Sequence, residues 1–309
     1  MSMPNNAASD VLTQIADDIW LVDAGTIDAA GMPLPVRMVV IRLATGDLVL
    51  HSPTRYSAGL RQELQAIGPI RYLLAPSIAH WMFLPDWQTA LPDAKLLAVV
   101  GLGRRAQVRK SGLRIDGELD GQVPAAWAGQ LDTVLISAPP YAEIALFHRV
   151  SRTLILTDLV QNLDPARLPP LPRLIARQLG VTAPDGRAPV YLRLLVRLWG
   201  GSVSRAAARL VAFAPDRVLF SHGEWFDHDA TARLRQSLRW LLPNDDAAQQ
   251  ASVNGGSTPS ARVLTGVGVG LAVVGWMLIR SSRRSRVARA ADQIDAGRRQ
   301  LRRRSVRRG

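Results

Sequence analysis

The chain contains no cysteine among its 309 residues. Disulfides, cysteine-ligated iron–sulfur clusters and thiolate-bound zinc are therefore excluded, and any metal must rely on histidine and carboxylate ligands. Lysine is almost missing as well: Lys95 and Lys110 are the only two, so arginine carries the basic charge. There is no glycine-rich phosphate loop ahead of a helix, no dinucleotide fingerprint and no serine nucleophile-elbow pattern, which removes three common enzyme classes. The GLGRR run at 101–105 is too short to count as a fingerprint. The opening MSMPNNAASDVLTQIADD has no basic stretch followed by an apolar one. No secretory signal is read there, and a cytoplasmic main domain is the expectation.

Three of the five histidines each follow an apolar, strand-like run: LVLH ends on His51, YLLAPSIAH on His80 and VLFSH on His222. A fourth run, LILTD, ends on Asp158. Chemistry gathers where strands give way to loops on a rigid scaffold. Three imidazoles and a carboxylate converging on one sheet edge would make a metal site. A buried histidine in a hydrogen-bonded structural role is the competing reading of each.

The formal net charge of +13 is uneven. Residues 280–309 hold twelve arginines against Asp292 and Asp295, a net of +10, which leaves +3 for the remainder. No aromatic side chain interleaves these arginines, which disfavours single-strand nucleic-acid stacking and makes nucleic acid the weaker partner reading. An anionic lipid surface is the stronger one.

Along the chain, residues 1–15 read as a flexible polar N-terminus and 16–245 as the folded domain. The runs at 19–24, 37–44, 47–51, 70–75, 95–100, 132–137, 143–147, 153–158 and 217–220 are strand-like, with a hairpin step at Thr45–Asp47. Residues 57–68 place Leu60, Leu64 and Ile67 on one helical face, and further helices are expected at 80–91, 203–213 and 229–242. The Pro- and Arg-rich run from Pro165 to Pro189 reads as irregular with one short helix. This alternation argues for an α/β architecture. Residues 246–260 have linker composition. Within 261–280, the 17 uncharged residues 263–279 would span roughly 26 Å as a helix, at about 1.5 Å per residue. That is short but sufficient for a bilayer core of about 30 Å. A transmembrane helix is thus expected there, with a buried soluble helix as the alternative. Gly266 and Gly270 would permit close helix–helix contact and a homo-oligomer. Residues 281–309 form the Arg-rich tail. The tail's charge favours keeping it cytoplasmic, which would put the main domain outside, against the absence of a signal. The topology stays open.

The segments LPVRMVVIRL, LVLHSPT, LLAPSIAHW, FHRVSRTLILTDLVQN and VLFSHGEWF, in this order, resemble a family known as domain of unknown function 4336. That family looks like a divergent branch of the metallo-β-lactamase fold, and the resemblance spans roughly residues 15–245. It implies an αββα sandwich, an α/β (α+β) architecture. In active hydrolases of that superfamily an HxHxDH motif follows a strand. The matching stretch here runs from Ile78 to Phe83, and only its second histidine survives, as His80. Met82 and Phe83 replace the next two ligands and bind hard or borderline cations poorly. The resemblance places the bridging aspartate at Asp158 and the last histidine at His222, with His51 where an early strand usually ends in aspartate.

The candidate metal set is therefore His51, His80, Asp158 and His222, with Asp158 and His222 also the candidate catalytic residues. One zinc or iron per chain fits this set. Activated water there could attack an ester, amide or phosphoester of an unidentified small-molecule substrate. A non-catalytic binding or scaffolding module of the same fold at the membrane is the alternative, because most of HxHxDH is lost. His148 is left out. It sits between two strand-like runs about ten residues before Asp158, at a hairpin turn, with Arg149, Ser151 and Arg152 available to hold that turn. Trp81, Trp87 and Trp225 flank the set and either wall an apolar pocket or pack in the core, the latter for at least two of them.

Overall fold

The computed structural model describes residues 11–29, 31–197 and 201–242. In chain order these form β1 (Val11–Ala16), β2 (Ile19–Ala29), β3 (Met32–Arg42), β4 (Leu48–His51), α1 (Ala58–Ile67), β5 (Ile70–Ala75), α2 (Leu84–Ala90), β6 (Lys95–Val99), α3 (Ala106–Ser111) and β7 (Gly117–Leu119). The second half adds β8 (Leu131–Ala138), β9 (Tyr141–His148), β10 (Thr153–Ile155), α4 (Pro170–Leu179), α5 (Val190–Arg197), α6 (Gly201–Ala212), β11 (Arg217–Leu219) and α7 (Ala230–Leu238). β1 to β7 lie in sequence order in a seven-stranded sheet, and β11, β10, β9 and β8 form a four-stranded one.

Local chemistry accounts for the main boundaries. Ser57 caps α1 by accepting the Leu60 N–H at 3.1 Å, and Leu60 and Leu64 turn into the core. β4, β5, β6 and β7 run parallel, so each step needs a crossover, and α1, α2 and α3 supply them. β9 alternates strictly. Its Ala142, Ile144 and Leu146 join a core shared with Val40, Leu50 and Leu73 of the seven-stranded sheet, so the two sheets face each other. Its Tyr141, Ala145 and Phe147 join a second core with Leu192 of α5, Leu210 of α6 and Leu234 of α7. With Leu60, Trp87 and Val108 of α1, α2 and α3 packed in the first core, the layers run helix, sheet, sheet, helix.

Two sequence expectations are corrected here. Residues 11–15 are not frayed: β1 pairs antiparallel with β2 from Val11 to Ala16. Composition hid it because it is an edge strand whose Leu12 and Ile15 are only partly buried against the core. The strand expected over 153–158 stops at Ile155: Leu156 N–H still donates to the Leu219 carbonyl of β11, and residues 157–158 then turn into a loop. Among the described residues no helix is long and apolar enough to cross a membrane. The expected transmembrane helix at 261–280, the linker and the Arg-rich tail lie outside the described residues.

The shared core should dominate stability. Ile144→Ala removes a fully buried side chain between the sheets and is expected to cost about 2–5 kcal/mol. Val150→Ala, at a turn residue that is 75% exposed, should stay within about 0.5 kcal/mol of wild type. Urea denaturation midpoints at unchanged slope measure both.

Candidate metal centre

The candidate residues lie beyond the C-terminal ends of two pairs of parallel strands. β4 and β5 end side by side, with His51 opposite Leu74, and the loop after β5 carries His80. β10 and β11 end side by side, with Ile155 opposite Leu219, and the loops beyond them carry Asp158 and His222. The loop after β5 docks onto the second sheet: Ile144 N–H donates to the Pro76 carbonyl at 2.7 Å and Ile78 N–H to the Ala142 carbonyl at 3.2 Å.

This arrangement brings His80, Asp158 and His222 together. One ligand atom from each lies within 4.8 Å of the other two. His80 Nε2 is 3.2 Å from Asp158 Oδ2, and His222 Nε2 is 3.4 Å from Oδ1. The two imidazoles stand 5.3 Å apart between ring centres. Ser77 Oγ and Gln161 Nε2 reach the same carboxylate at 3.4 and 3.3 Å.

Each imidazole is held from behind. His222 Nδ1 lies 2.7 Å from the Pro35 carbonyl, which can only accept. Nδ1 therefore carries a proton, and in the neutral ring Nε2 presents a lone pair to the Asp158 carboxylate. Two acceptors facing each other call for a cation between them or a second proton on the ring. His80 Nδ1 lies 2.6 Å from Ser52 Oγ, whose hydroxyl can serve either tautomer. Ser52 itself sits at φ +55°, a left-handed conformation uncommon for serine.

Burial pushes the Asp158 carboxyl up. The charge of His80 and the bonds from both imidazoles outweigh it, so the group is held well below the usual carboxylate range. Burial lowers the His80 pKa, the Asp158 charge raises it, and the net shift is upward. His51, 1% exposed, is pushed down to about 3 by burial and by the His80 charge, and stays neutral. Neither of its ring nitrogens has a hydrogen-bond partner among the described residues. The structure thus places His51 close enough to feel His80 but outside the tight group of three.

His148 bonds Ser151 Oγ at 2.7 Å at the β9–β10 turn, as the spacing predicts, and plays no part in the site. Trp87 is fully buried and donates from Nε1 to the Thr54 carbonyl at 2.7 Å, a core role. Trp81 and Trp225 are partly buried against the same core.

Three positioning residues escaped the sequence reading. Glu143, fully buried on β9, accepts the N–H groups of Thr157, Asp158 and Leu159 at 2.6, 2.9 and 3.0 Å and the Tyr141 hydroxyl, fixing the loop that presents Asp158. Burial and the Asp158 charge push its pKa up. Arg37 on β3 donates to the carbonyls of Phe220 and Gly223, at 3.1 and 2.8 Å, on either side of His222. Asn162 N–H donates to the His222 carbonyl, and its side chain donates to that of Glu224. Gly223, at φ +93°, passes so close to Asn162 that a Cβ would lie 2.1 Å from its carbonyl oxygen. A carboxylate inside the apolar run EIALF and an arginine inside VRMVVI were the available signals.

No protein-family model matches the chain, and no curated protein matches it. Solved structures do. A metallo-β-lactamase from Hirschia baltica aligns over 76% of this chain and 98% of its own, at 15% identity and a TM-score of 0.50. A metallo-β-lactamase from Pontibacter korlensis aligns over 75% and 98%, at 13% identity and 0.52. A metal-soaked flavodiiron core from Synechocystis aligns over 78% of this chain and 62% of its own, at 14% identity and 0.53. Identities this low speak to fold alone.

If Glu143 is ionised, its replacement by glutamine aims an amide N–H at backbone donors. Glu143→Gln should then cost about 1–3 kcal/mol in chemical denaturation. An unchanged midpoint would show that the native group already carries a proton. The chain has the metallo-β-lactamase fold, with a partly buried histidine–aspartate–histidine cluster where its two sheets' strand ends meet.

Proposed function

We propose that this chain is a metal-dependent hydrolase acting at a membrane, with one zinc or iron held by His80, Asp158 and His222. The observation that carries this reading is the direction of the His222 ring. Its Nδ1 is committed to the Pro35 carbonyl, which leaves the Nε2 lone pair aimed at a carboxylate. A backbone carbonyl behind a ligating imidazole is the usual outer-shell arrangement of a metal site. The donor set is nitrogen and oxygen, which suits zinc or iron. His51 is a candidate fourth ligand, since ligation would give a partner to one of two buried ring nitrogens that otherwise have none.

The chemistry supplied by such an ion is polarisation of an ester, amide or phosphoester and acidification of water. The chain's own contribution is orientation and exclusion of solvent. Glu143 and Asn162 hold the two loops, Ser52 and Pro35 set the imidazoles, and Asp158 keeps its charge in a buried setting. Asp158 and His222 are the residues assigned to catalysis. The membrane part rests on residues 261–280 and on the Arg-rich 281–309, read from sequence, with lipid as partner and a homo-oligomer through Gly266 and Gly270.

A second reading, a non-catalytic binding module of the same fold, is favoured by one observation. His80 and Asp158 can satisfy each other as an ion pair, with the His80 pKa raised and that of Asp158 lowered. Elemental analysis of the purified full chain separates the two. About one zinc or iron per chain is expected, lost in Asp158→Ala and in His222→Ala, with any hydrolysis lost alongside. Absence of metal from all three samples would favour the ion-pair module.

A further inference from the structure

Helix α4 turns its apolar side outward. It buries Ala176, while Leu171, Leu174 and Ile175 are 67%, 56% and 43% exposed. Their i, i+3, i+4 spacing gathers them into one stripe. In α5, Leu192 and Val196 face the core, whereas Val190 and Leu194 form a second exposed pair. Scattered surface leucines need no explanation, but two stripes on neighbouring elements do. The elements are neighbours: the Arg187 guanidinium, three residues before α5, lies against Gly180, the C-terminal cap of α4, where a Cβ would come 2.7 Å from its Nε.

The charge in this stretch is mostly positive. Between residues 165 and 215 there are eight arginines and a single acid, Asp185, a net of +7. The rest of residues 1–279 nets −4. Arg167, paired with Asp164, keeps its side chain 83% exposed, and Arg177 is exposed on α4. Exposed leucines with exposed arginines on and beside the same helix, here Arg167 and Arg177, fit a helix that lies in the headgroup layer of a bilayer. Nucleic acid would answer the arginines but offers no apolar bed for the leucines.

We infer that the α4–α5 face docks on an anionic lipid surface, its leucines at the acyl boundary and its arginines among the headgroup phosphates. This face is separate from the C-terminal segments and stands on different residues. It adjoins the candidate site: Gln161 donates to Asp158 from its side chain and to the Arg187 carbonyl, at 3.3 Å, from its backbone.

Because the chain has no cysteine, a single Leu174→Cys in the full-length protein can carry a polarity-sensitive nitrobenzoxadiazole label. Ala66→Cys on α1, within the first sheet's helical layer, carries the same label as the control. The probes are vesicles of phosphatidylcholine alone and of three parts phosphatidylcholine to one part phosphatidylglycerol. A blue shift and rise in emission are expected at position 174 with the anionic vesicles, and none at position 66. Arg167→Glu with Arg177→Glu should raise the lipid concentration needed for that shift about tenfold or more. Silence at position 174, or equal responses at both positions, would overturn the proposal. So would a response that grows with protein concentration without vesicles, the sign of a second copy, or one produced by duplex DNA in their place.

Discussion

The site depends on a carboxylate that would never touch a substrate. Glu143 lies fully buried on β9, where a polar group without partners would be costly. It is tolerated because three successive backbone N–H groups and a tyrosine hydroxyl converge on it. Those same bonds hold residues 157–159 in the turn that follows Leu156, the last residue bonded to β11, and so fix the loop that carries Asp158. β9 also accepts the loop after β5 as a short extra pairing, with Ser77 opposite Glu143. One strand therefore sets both the aspartate and the approach of His80.

With Asp158 placed, the remaining geometry follows from what each imidazole is bonded to behind. Pro35 and Ser52 come from the seven-stranded sheet, whereas Asp158 and His222 come from the four-stranded one. Arg37 spans the same gap, from β3 to the carbonyls flanking His222. The cluster is thus a seam between sheets, and its polar bonds are possible only when both sheets are in place. Its electrostatics divide the histidines. His80 is drawn toward the charged form by Asp158, while His51, at the end of β4 and more deeply buried, is held neutral by burial and by the charge of His80.

The segment after the site has a different logic. Asp158, Gln161 and Asn162 are tied to the two sheets, but the chain then runs into α4 and α5, which leave Leu171, Leu174, Ile175, Val190 and Leu194 exposed and carry only positive charge. A helix that exposes leucine among arginines does so at a cost in water, and that cost is recovered wherever an apolar, anionic phase is available. The proposed docking face stands on the folded domain and on residues other than those of the C-terminal segments.

The sequence by itself determined the α/β class, most strands, the helix after Ser57, and the polar residues that follow apolar runs: His51, His80, Asp158 and His222. These were legible because hydrophobic periodicity and a polar residue closing an apolar run are local signals. It also kept His148 out of the site through simple distance along a hairpin. Only the tertiary structure decided that three of the four candidates meet while His51 stands behind, since convergence depends on strand order and register. It alone revealed β1, whose partner is a backbone rather than a pattern. Glu143, Arg37 and Asn162 were hidden for the same reason: their work is done on backbone groups distant in sequence, and a polar residue inside an apolar run does not say which loop it will hold.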